Sequence, residues 1–127
     1  MNIIVVGCGK VGTTILESLV AEGHNVTAVD LRPSALADIT NIHDVITVCG
    51  NGADSDVLLE AGIKDADMFA AVTGSDELNL LCCMTAHGMN PNLHTIARIR
   101  NPEYTEQIMT MRDTFPLSMT VNPEKQA

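Results

Sequence analysis

Three glycines, a lysine and an aspartate near the start of the chain have the types and spacing needed to bind a phosphorylated nucleotide. Gly7 permits a sharp turn, Gly9 lets backbone approach a pyrophosphate, and Gly12 allows close packing of a following helix. A helix beginning near Lys10 would direct its free amides and positive dipole end at the phosphates. Asp30, about 20 residues further on, is placed to accept hydrogen bonds from ribose hydroxyls. The segment therefore predicts a turn that binds pyrophosphate and ribose.

Apolar runs alternate with helix-like stretches, and this alternation predicts the scaffold that positions the turn. We expect strands over 2–6, 25–29, 44–49, 67–72, 94–98 and 119–121, and helices over 11–22, 33–40, 54–61, 76–87 and 102–111. Short links between alternating elements favour parallel strands joined by right-handed crossovers. The predicted fold class is α/β: one Rossmann-like, doubly wound parallel sheet over residues 1–127, with strand order 3-2-1-4-5-6.

Capping residues set several of the predicted helix ends. Asp54 or Ser55 can cap the third helix and Ser75 the fourth, because each offers an oxygen to the free amides of a first turn. Gly62 and Gly88 stand where a helix ends and a left-handed residue is favoured. We therefore expect the third and fourth helices to stop at these glycines.

Composition and charge narrow the class of protein. The chain has 127 residues, 46% hydrophobic and 2% aromatic, which predicts one domain with an aliphatic core and argues against binding by aromatic stacking. Its net charge of −9 excludes nucleic acid as the expected partner, since such binding needs many Lys or Arg contacts to phosphate. No apolar run reaches about 18 residues and Met1 leads directly into the first strand, so we expect a cytoplasmic chain that does not itself span the membrane.

The four cysteines lack the spacing of a disulfide framework or a metal site. Cys8, Cys49, Cys82 and Cys83 form no CxxC or Cys/His ligand pattern, so buried or partly buried free thiols and no metal are expected. The histidines lie apart from any nucleophile. We therefore predict no catalytic residue.

Basic residues gather at the predicted carboxyl ends of the strands, where ligands bind in such sheets. Lys10, Arg32, Arg98 and Arg100 are four of the seven basic residues of the chain, and all lie in or beside these turns. They predict a pocket lined for phosphate; the alternative is ordinary surface charges paired with nearby acids. Strand alternation puts Arg98 and Arg100 on one face, opposite Ile99, so the pair could clamp a terminal phosphate or a partner's carboxylate.

Other turn residues leave their roles open. Asp30 disfavours the 2′-phosphate of NADP, whereas Arg32 could stack on adenine or face solvent. Asn51, between two glycines, could contact an adenine edge or simply form a turn. Thr73 could reach a phosphate or ribose. Asn79 is neither a cap nor a good helix former, which suggests an accompanying polar role.

The missing features favour a binding module over an enzyme. A dehydrogenase needs a substrate pocket and a proton donor or acceptor beside the nicotinamide. The sequence has no second domain and no His/Asp, Tyr/Lys or Cys/His arrangement at the turns. The alternatives are the cofactor-binding part of an NAD-dependent dehydrogenase, or a sensor of the NADH/NAD ratio.

Five segments together resemble a known family: residues 7–12, Asp30, and residues 50–52, 71–79 and 97–104. The chain resembles the RCK domain, also called KTN, and within that family the N-terminal domains of the regulatory subunits of Trk potassium uptake. The resemblance implies binding of NAD or NADH, or of ATP or ADP. It also implies that ligand-dependent shape changes in a homodimer or tetramer ring control an integral-membrane potassium transporter or channel, at the inner face of the cell membrane.

The resemblance also implies the binding residues. The candidate set is Gly7, Cys8, Gly9, Lys10, Val11, Gly12, Asp30, Leu31, Arg32, Gly50, Asn51, Gly52, Thr73, Gly74, Glu77 and Arg98. By position we expect phosphates at the first glycines, ribose at Asp30, adenine at Arg32 and Asn51, the distal part of the ligand at Thr73 and Glu77, and a terminal phosphate or dimer partner at Arg98. Asn51 stands where the family often has Asp. The family's following helix and C-terminal lobe are not in this sequence, so we expect the natural protein to continue.

Overall fold

Five parallel strands form one sheet in the computed structural model, which describes residues 1–42 and 44–110. The strands are β1 (Asn2–Val6), β2 (Asn25–Asp30), β3 (Ile46–Cys49), β4 (Met68–Ala71) and β5 (His94–Ala97). Their order, β3-β2-β1-β4-β5, confirms the predicted order for these five strands. The sixth predicted strand, residues 119–121, lies outside the described residues.

A helix follows each strand. The helices are α1 (Lys10–Ala21), α2 (Pro33–Ile42), α3 (Ser55–Glu60), α4 (Asp76–Met89) and α5 (Pro102–Thr110), with a short 3₁₀ turn at Ile63–Asp65. Pro33 and Pro102 occupy first helical positions, where the missing N–H of proline has no helical partner to lose. Among the described residues, no helix is both long enough and apolar enough to cross a bilayer.

The sheet is covered on both faces, because alternate residues of its central strand enter different cores. Ile4 and Val6 of β1 pack in a cluster with residues of α3 and α4, whereas Ile3 and Val5 pack in a second cluster with residues of α1 and α2. Burial on both faces explains the continuous apolar runs of the strands. The sheet is therefore Rossmann-like, and the strand order reverses between β1 and β4, where a crevice opens at the carboxyl ends.

Three of the predicted helix ends are confirmed and one is wrong. Asp54 caps α3 by accepting from the Asp56 N–H at 2.8 Å, and Ser75 caps α4. Gly62, with φ of 88°, follows the end of α3 as predicted. Gly88, however, lies inside α4, and Asn90 ends the helix instead. The Asn90 side-chain amide donates to two carbonyls of the segment before β4, a contact between distant parts of the chain.

Candidate functional site

A cleft of about 620 Å³ opens at the carboxyl ends of the strands. This volume is within the usual range of small-molecule sites. The predicted residues that line it are Gly7, Cys8, Gly9, Lys10, Val11, Asp30, Leu31, Arg32, Gly50, Asn51, Gly52, Thr73, Gly74 and Arg98. Three apolar lining residues, Val6, Val72 and Leu78, were not among the predicted ones. Val6 could have been found, because it is the last residue of the first apolar run.

The glycine turn has the geometry that its residue types predict. Gly7 has φ of +101°, and a β-carbon there would lie 2.9 Å from the Thr73 backbone nitrogen. A β-carbon on Gly12 would overlap the carbonyl oxygen of Gly7, so α1 packs directly on the turn. At Gly9, by contrast, a β-carbon would meet nothing within 4 Å. The turn therefore leaves open space where a ligand's phosphate would approach the backbone.

The amino end of α1 has no capping side chain. Its N-cap is Gly9, and its first turn contains no acidic residue. The first amides of a helix have no partner within the helix, and with the dipole they attract anions. Exposed Lys10 adds a positive charge at the same place. This end of α1 can therefore receive a phosphate.

Asp30 lies beside the turn, 8% exposed, and its carboxylate organises the near wall of the cleft. Oδ2 accepts from the Cys8 N–H at 2.7 Å, and Oδ1 accepts from the Arg32 N–H at 2.8 Å and from Arg32 Nε at 3.2 Å. Burial alone raises the pKa of Asp30, but the hydrogen bonds from Arg32 and Cys8 outweigh it and hold the pKa below its ordinary value. The carboxylate stays charged and can accept from a ribose.

Arg32 and Asn51, whose roles the sequence leaves open, both have hydrogen-bond partners within the protein. The Arg32 side chain is 62% exposed and pairs with Asp30, at the border between the cleft and a groove formed by α1 and α2. The Asn51 Oδ1 accepts from the Ala53 N–H at 2.9 Å. Asn51 thus forms the turn that the flanking glycines suggest, while it also lines the cleft.

The far wall of the cleft is built on the first turn of α4. Asn79 is completely buried there and hydrogen-bonds Thr73 and the carbonyl of Arg98. The polar role predicted for Asn79 is therefore internal: it joins two residues that line the cleft.

Glu77 and Arg100 face a neighbouring groove, formed by the turn after β4 and the start of α5. Arg100 Nη2 donates to the Gly74 carbonyl at 2.8 Å, whereas Arg98 lines the cleft. The predicted clamp of two guanidiniums does not form in the structure. Ile99 between them is buried in the core, as predicted, but beyond the end of β5 at Ala97 the two arginines line different hollows.

In that groove the Tyr104 hydroxyl donates to Glu77 Oε2 at 2.6 Å. This hydrogen bond and the charge of the Glu77 carboxylate raise the pKa of Tyr104. The same hydrogen bond lowers the pKa of Glu77. The chain has one tyrosine and no tryptophan, so absorbance reports this residue alone.

We expect an alkaline absorbance titration to give a Tyr104 midpoint above the ordinary value of about 10. Glu77→Gln removes the negative charge, so the midpoint should fall toward that value. Glu106→Gln, on the same helix as Tyr104, is the matched control and should leave it unchanged. Equal midpoints in the wild type and Glu77→Gln would show that the bond is not formed in solution.

Three of the four cysteines are buried as predicted, and Cys49 is exposed. Burial raises the pKa of Cys8, Cys82 and Cys83 to about 12, so these thiols stay protonated. The prediction of buried or partly buried thiols is wrong for Cys49, the last residue of the edge strand β3. Within the described ranges, no group of three His, Cys, Asp or Glu side chains could hold a metal ion.

The sequence matches the family model described as the TrkA-N domain over residues 3–115. The Trk system potassium uptake protein TrkA of Vibrio alginolyticus is 37% identical over 98% of this chain and 28% of its own length. The TrkA homolog of Pyrococcus abyssi is 35% identical over 98% of this chain and 55% of its own length. The chain thus spans between about a quarter and about half of these relatives.

Solved structures share the fold. The TrkA-N domain of the inner membrane protein YbaL from Escherichia coli superposes with a TM-score of 0.85 at 19% identity, covering 98% of this chain and 89% of that one. The GsuK channel gives a TM-score of 0.74 in a structure with NAD bound, at 20% identity over 86% of this chain and 20% of the channel. With ADP bound the TM-score is 0.73, at 20% identity over 86% and 28%. By its sequence match, and with a fold that agrees, the chain belongs to the TrkA-N domain family.

Proposed function

We propose that this domain binds an adenine nucleotide and thereby regulates a membrane potassium transporter or channel. The observation that carries the proposal is the glycine turn, which leads into the amino end of α1 without a capping side chain. The turn lies beside the buried Asp30 carboxylate, at the point where the strand order reverses. The amides at the start of a helix can bind a pyrophosphate, and a carboxylate can accept hydrogen bonds from a ribose. Together they fit the adenosine and pyrophosphate that NAD, NADH, ATP and ADP have in common.

The lining residues divide into two halves along the cleft. Asp30 would accept from the ribose, and the backbone between Gly7 and Gly12 would hold the phosphates. Adenine would lie on the side of Leu31, Arg32 and the 50–52 turn. The distal part of the ligand would reach Thr73, Gly74 and Arg98. Glu77 is not included in this site, because its side chain faces the neighbouring groove.

Charge distribution supports an anionic ligand. The chain carries −9 overall, yet Lys10, Arg32 and Arg98 all line this cleft. Cations concentrated in a concave site raise the local concentration of an anion and speed its association. NAD and ADP are each bound in a structure of the GsuK channel, which has the same fold.

Regulation follows from differential binding. A nucleotide shifts a population of assembled domains only if it binds one assembly geometry more tightly than another. The TrkA relatives belong to potassium uptake systems, so the proposed partner is an integral-membrane potassium transporter or channel. The domain would act there as a homodimer or tetramer ring, at the cytoplasmic face of the membrane.

Calorimetric titration of the full-length protein with NAD, NADH, ATP and ADP tests the binding proposal. We expect the wild type to bind at least one of them. Arg98→Ala should weaken them unequally, because in the proposed placement Arg98 would contact the part in which these ligands differ. Lys64→Ala, which removes an exposed cation outside the cleft, is the control.

Two results would contradict the proposal. Binding of none of the four nucleotides would exclude the adenine-nucleotide site, and equal losses for all four in Arg98→Ala would exclude a discriminating role for Arg98. Nucleotide-dependent reduction of an oxo acid by the intact protein would favour a dehydrogenase instead.

A further inference from the structure

Asn79 uses its whole hydrogen-bonding capacity at a site with no exposure to water. Its Oδ1 accepts from the Thr73 N–H at 2.8 Å and from the Thr73 hydroxyl at 2.6 Å. Its Nδ2 donates to the carbonyl of Thr73 at 3.2 Å and to that of Arg98 at 2.7 Å. A side-chain amide offers two lone pairs and two N–H groups, so all are engaged. Such complete satisfaction offsets the cost of burying the amide and fixes its orientation.

The Asn79 side-chain amide joins the two chain segments just beyond the last backbone hydrogen bond between them. The backbone of Arg98 donates to Ala71 at 3.0 Å, next to the carboxyl ends of β4 and β5. The next bond of a parallel ladder would run from the Thr73 N–H, two residues beyond Ala71, to the Arg98 carbonyl. Asn79 bridges these two groups instead, since its Oδ1 accepts from the Thr73 N–H and its Nδ2 donates to the Arg98 carbonyl. Thr73 and Arg98 both line the cleft. Asn79 therefore holds the far wall of the cleft from behind.

The near wall has a separate organiser. The Asp30 carboxylate holds Cys8 and Arg32, and these partners are different from those of Asn79. Asp30 lies at the end of β2, and Asn79 lies on α4 beyond β4. Because the two networks share no residue, each half of the cleft has its own set of side-chain hydrogen bonds.

We propose that Asn79 is a positioning residue for the part of a dinucleotide that extends beyond its first phosphate. The inference rests on the proposed nucleotide-binding function. A ligand that ends at the 5′-phosphate lies against Asp30 and the glycine turn. A dinucleotide continues across the carboxyl ends of β1 and β4 to Thr73 and Arg98. Loosening Asn79 should therefore weaken only the longer ligand.

Titration of the full-length protein with AMP and with NAD tests this inference. Asn79→Asp keeps the shape of the side chain but loses both donated bonds, and Asn79→Ser shortens the side chain as well. In both variants we expect the Kd for NAD to rise about tenfold and that for AMP to stay within about twofold. The ratio of the two Kd values is the readout, since partial unfolding weakens both ligands by one factor.

Asn90 provides a matched control at the other end of the same helix. Its Nδ2 also donates to two carbonyls, those of Ile63 at 2.9 Å and Ala66 at 3.1 Å. Asn90→Asp and Asn90→Ser should lower Tm without changing the ratio of Kd values, because Asn90 does not line the cleft.

Each contrary outcome is distinct. Equal weakening of AMP and NAD by the Asn79 variants, or an unchanged ratio, would overturn the positioning role. So would failure of both Asn79 variants to fold while the Asn90 variants fold, since the role would then be structural. A wild type that binds AMP as tightly as NAD overturns this inference alone. A wild type that binds neither, nor NADH, ATP or ADP, overturns the proposed function with it.

Discussion

Gly12→Ala is expected to lower the free energy of unfolding by about 3 kcal/mol, the upper end of the usual overpacking cost. The added β-carbon would overlap the carbonyl oxygen of Gly7, which is backbone in a buried turn and has no rotamer with which to move aside. Relief requires α1 to move away from the turn. Thermal unfolding followed by circular dichroism should show a Tm roughly 10 °C lower, and calorimetry should show loss of nucleotide binding.

Gly9→Ala is the matched control for that substitution. A β-carbon at Gly9 meets no protein atom within 4 Å, so we expect at most about 1 kcal/mol of destabilisation, from the poorer helix cap. Affinity for NAD or ADP should nevertheless fall, because the methyl group enters the space of the phosphates. Equal destabilisation by the two variants would contradict the packing argument, and unchanged affinity in Gly9→Ala would place the phosphates elsewhere.

Asp30→Ala is expected to weaken every adenosine ligand by at least about tenfold, equivalent to 1.4 kcal/mol. The variant removes the proposed ribose acceptor and leaves the Cys8 and Arg32 amides without their carboxylate partner. Loss of an acceptor for a buried N–H costs about 2 kcal/mol of stability. Calorimetric titration and urea unfolding measure the two effects. Asp44→Ala, an exposed acid before β3, should change neither.

The pH dependence of stability separates the contribution of the Asp30 charge from that of its side-chain shape. Because the folded protein holds the pKa of Asp30 below its ordinary value, the carboxylate stabilises the fold above the unfolded pKa. That contribution is lost as pH falls through the lower, folded pKa. Urea unfolding of the wild type and Asp30→Asn between pH 7 and pH 3 should therefore show stabilities that converge below about pH 4. A constant difference across this range would show that charge plays no part.

Short-range chemistry made several features predictable. The glycine spacing and the caps Asp54 and Ser75 depend on neighbours within a few residues, and the structure agrees with each. Alternating strands and helices also restrict the topology enough to give the order of the five described strands. Two sources pointed to most of the residues that line the cleft: their position where parallel strands end at a common edge, and the resemblance to the family.

Long-range contacts decided the rest. Gly88 does not end α4, because the helix terminus is set by Asn90 and its bonds to the segment before β4. Arg100 does not line the cleft, because its side chain donates to the Gly74 carbonyl, 26 residues earlier in the chain.

The sequence by itself determined the sheet and the glycine turn, because local backbone preferences and hydrophobic periodicity depend on residues close together in the chain. Only the tertiary structure decided which polar side chains face the cleft and which support it from behind. Asn79 shows the reason: its bond to the carbonyl of Arg98 joins residues 19 positions apart, and burial makes that partner obligatory only once the strands have assembled.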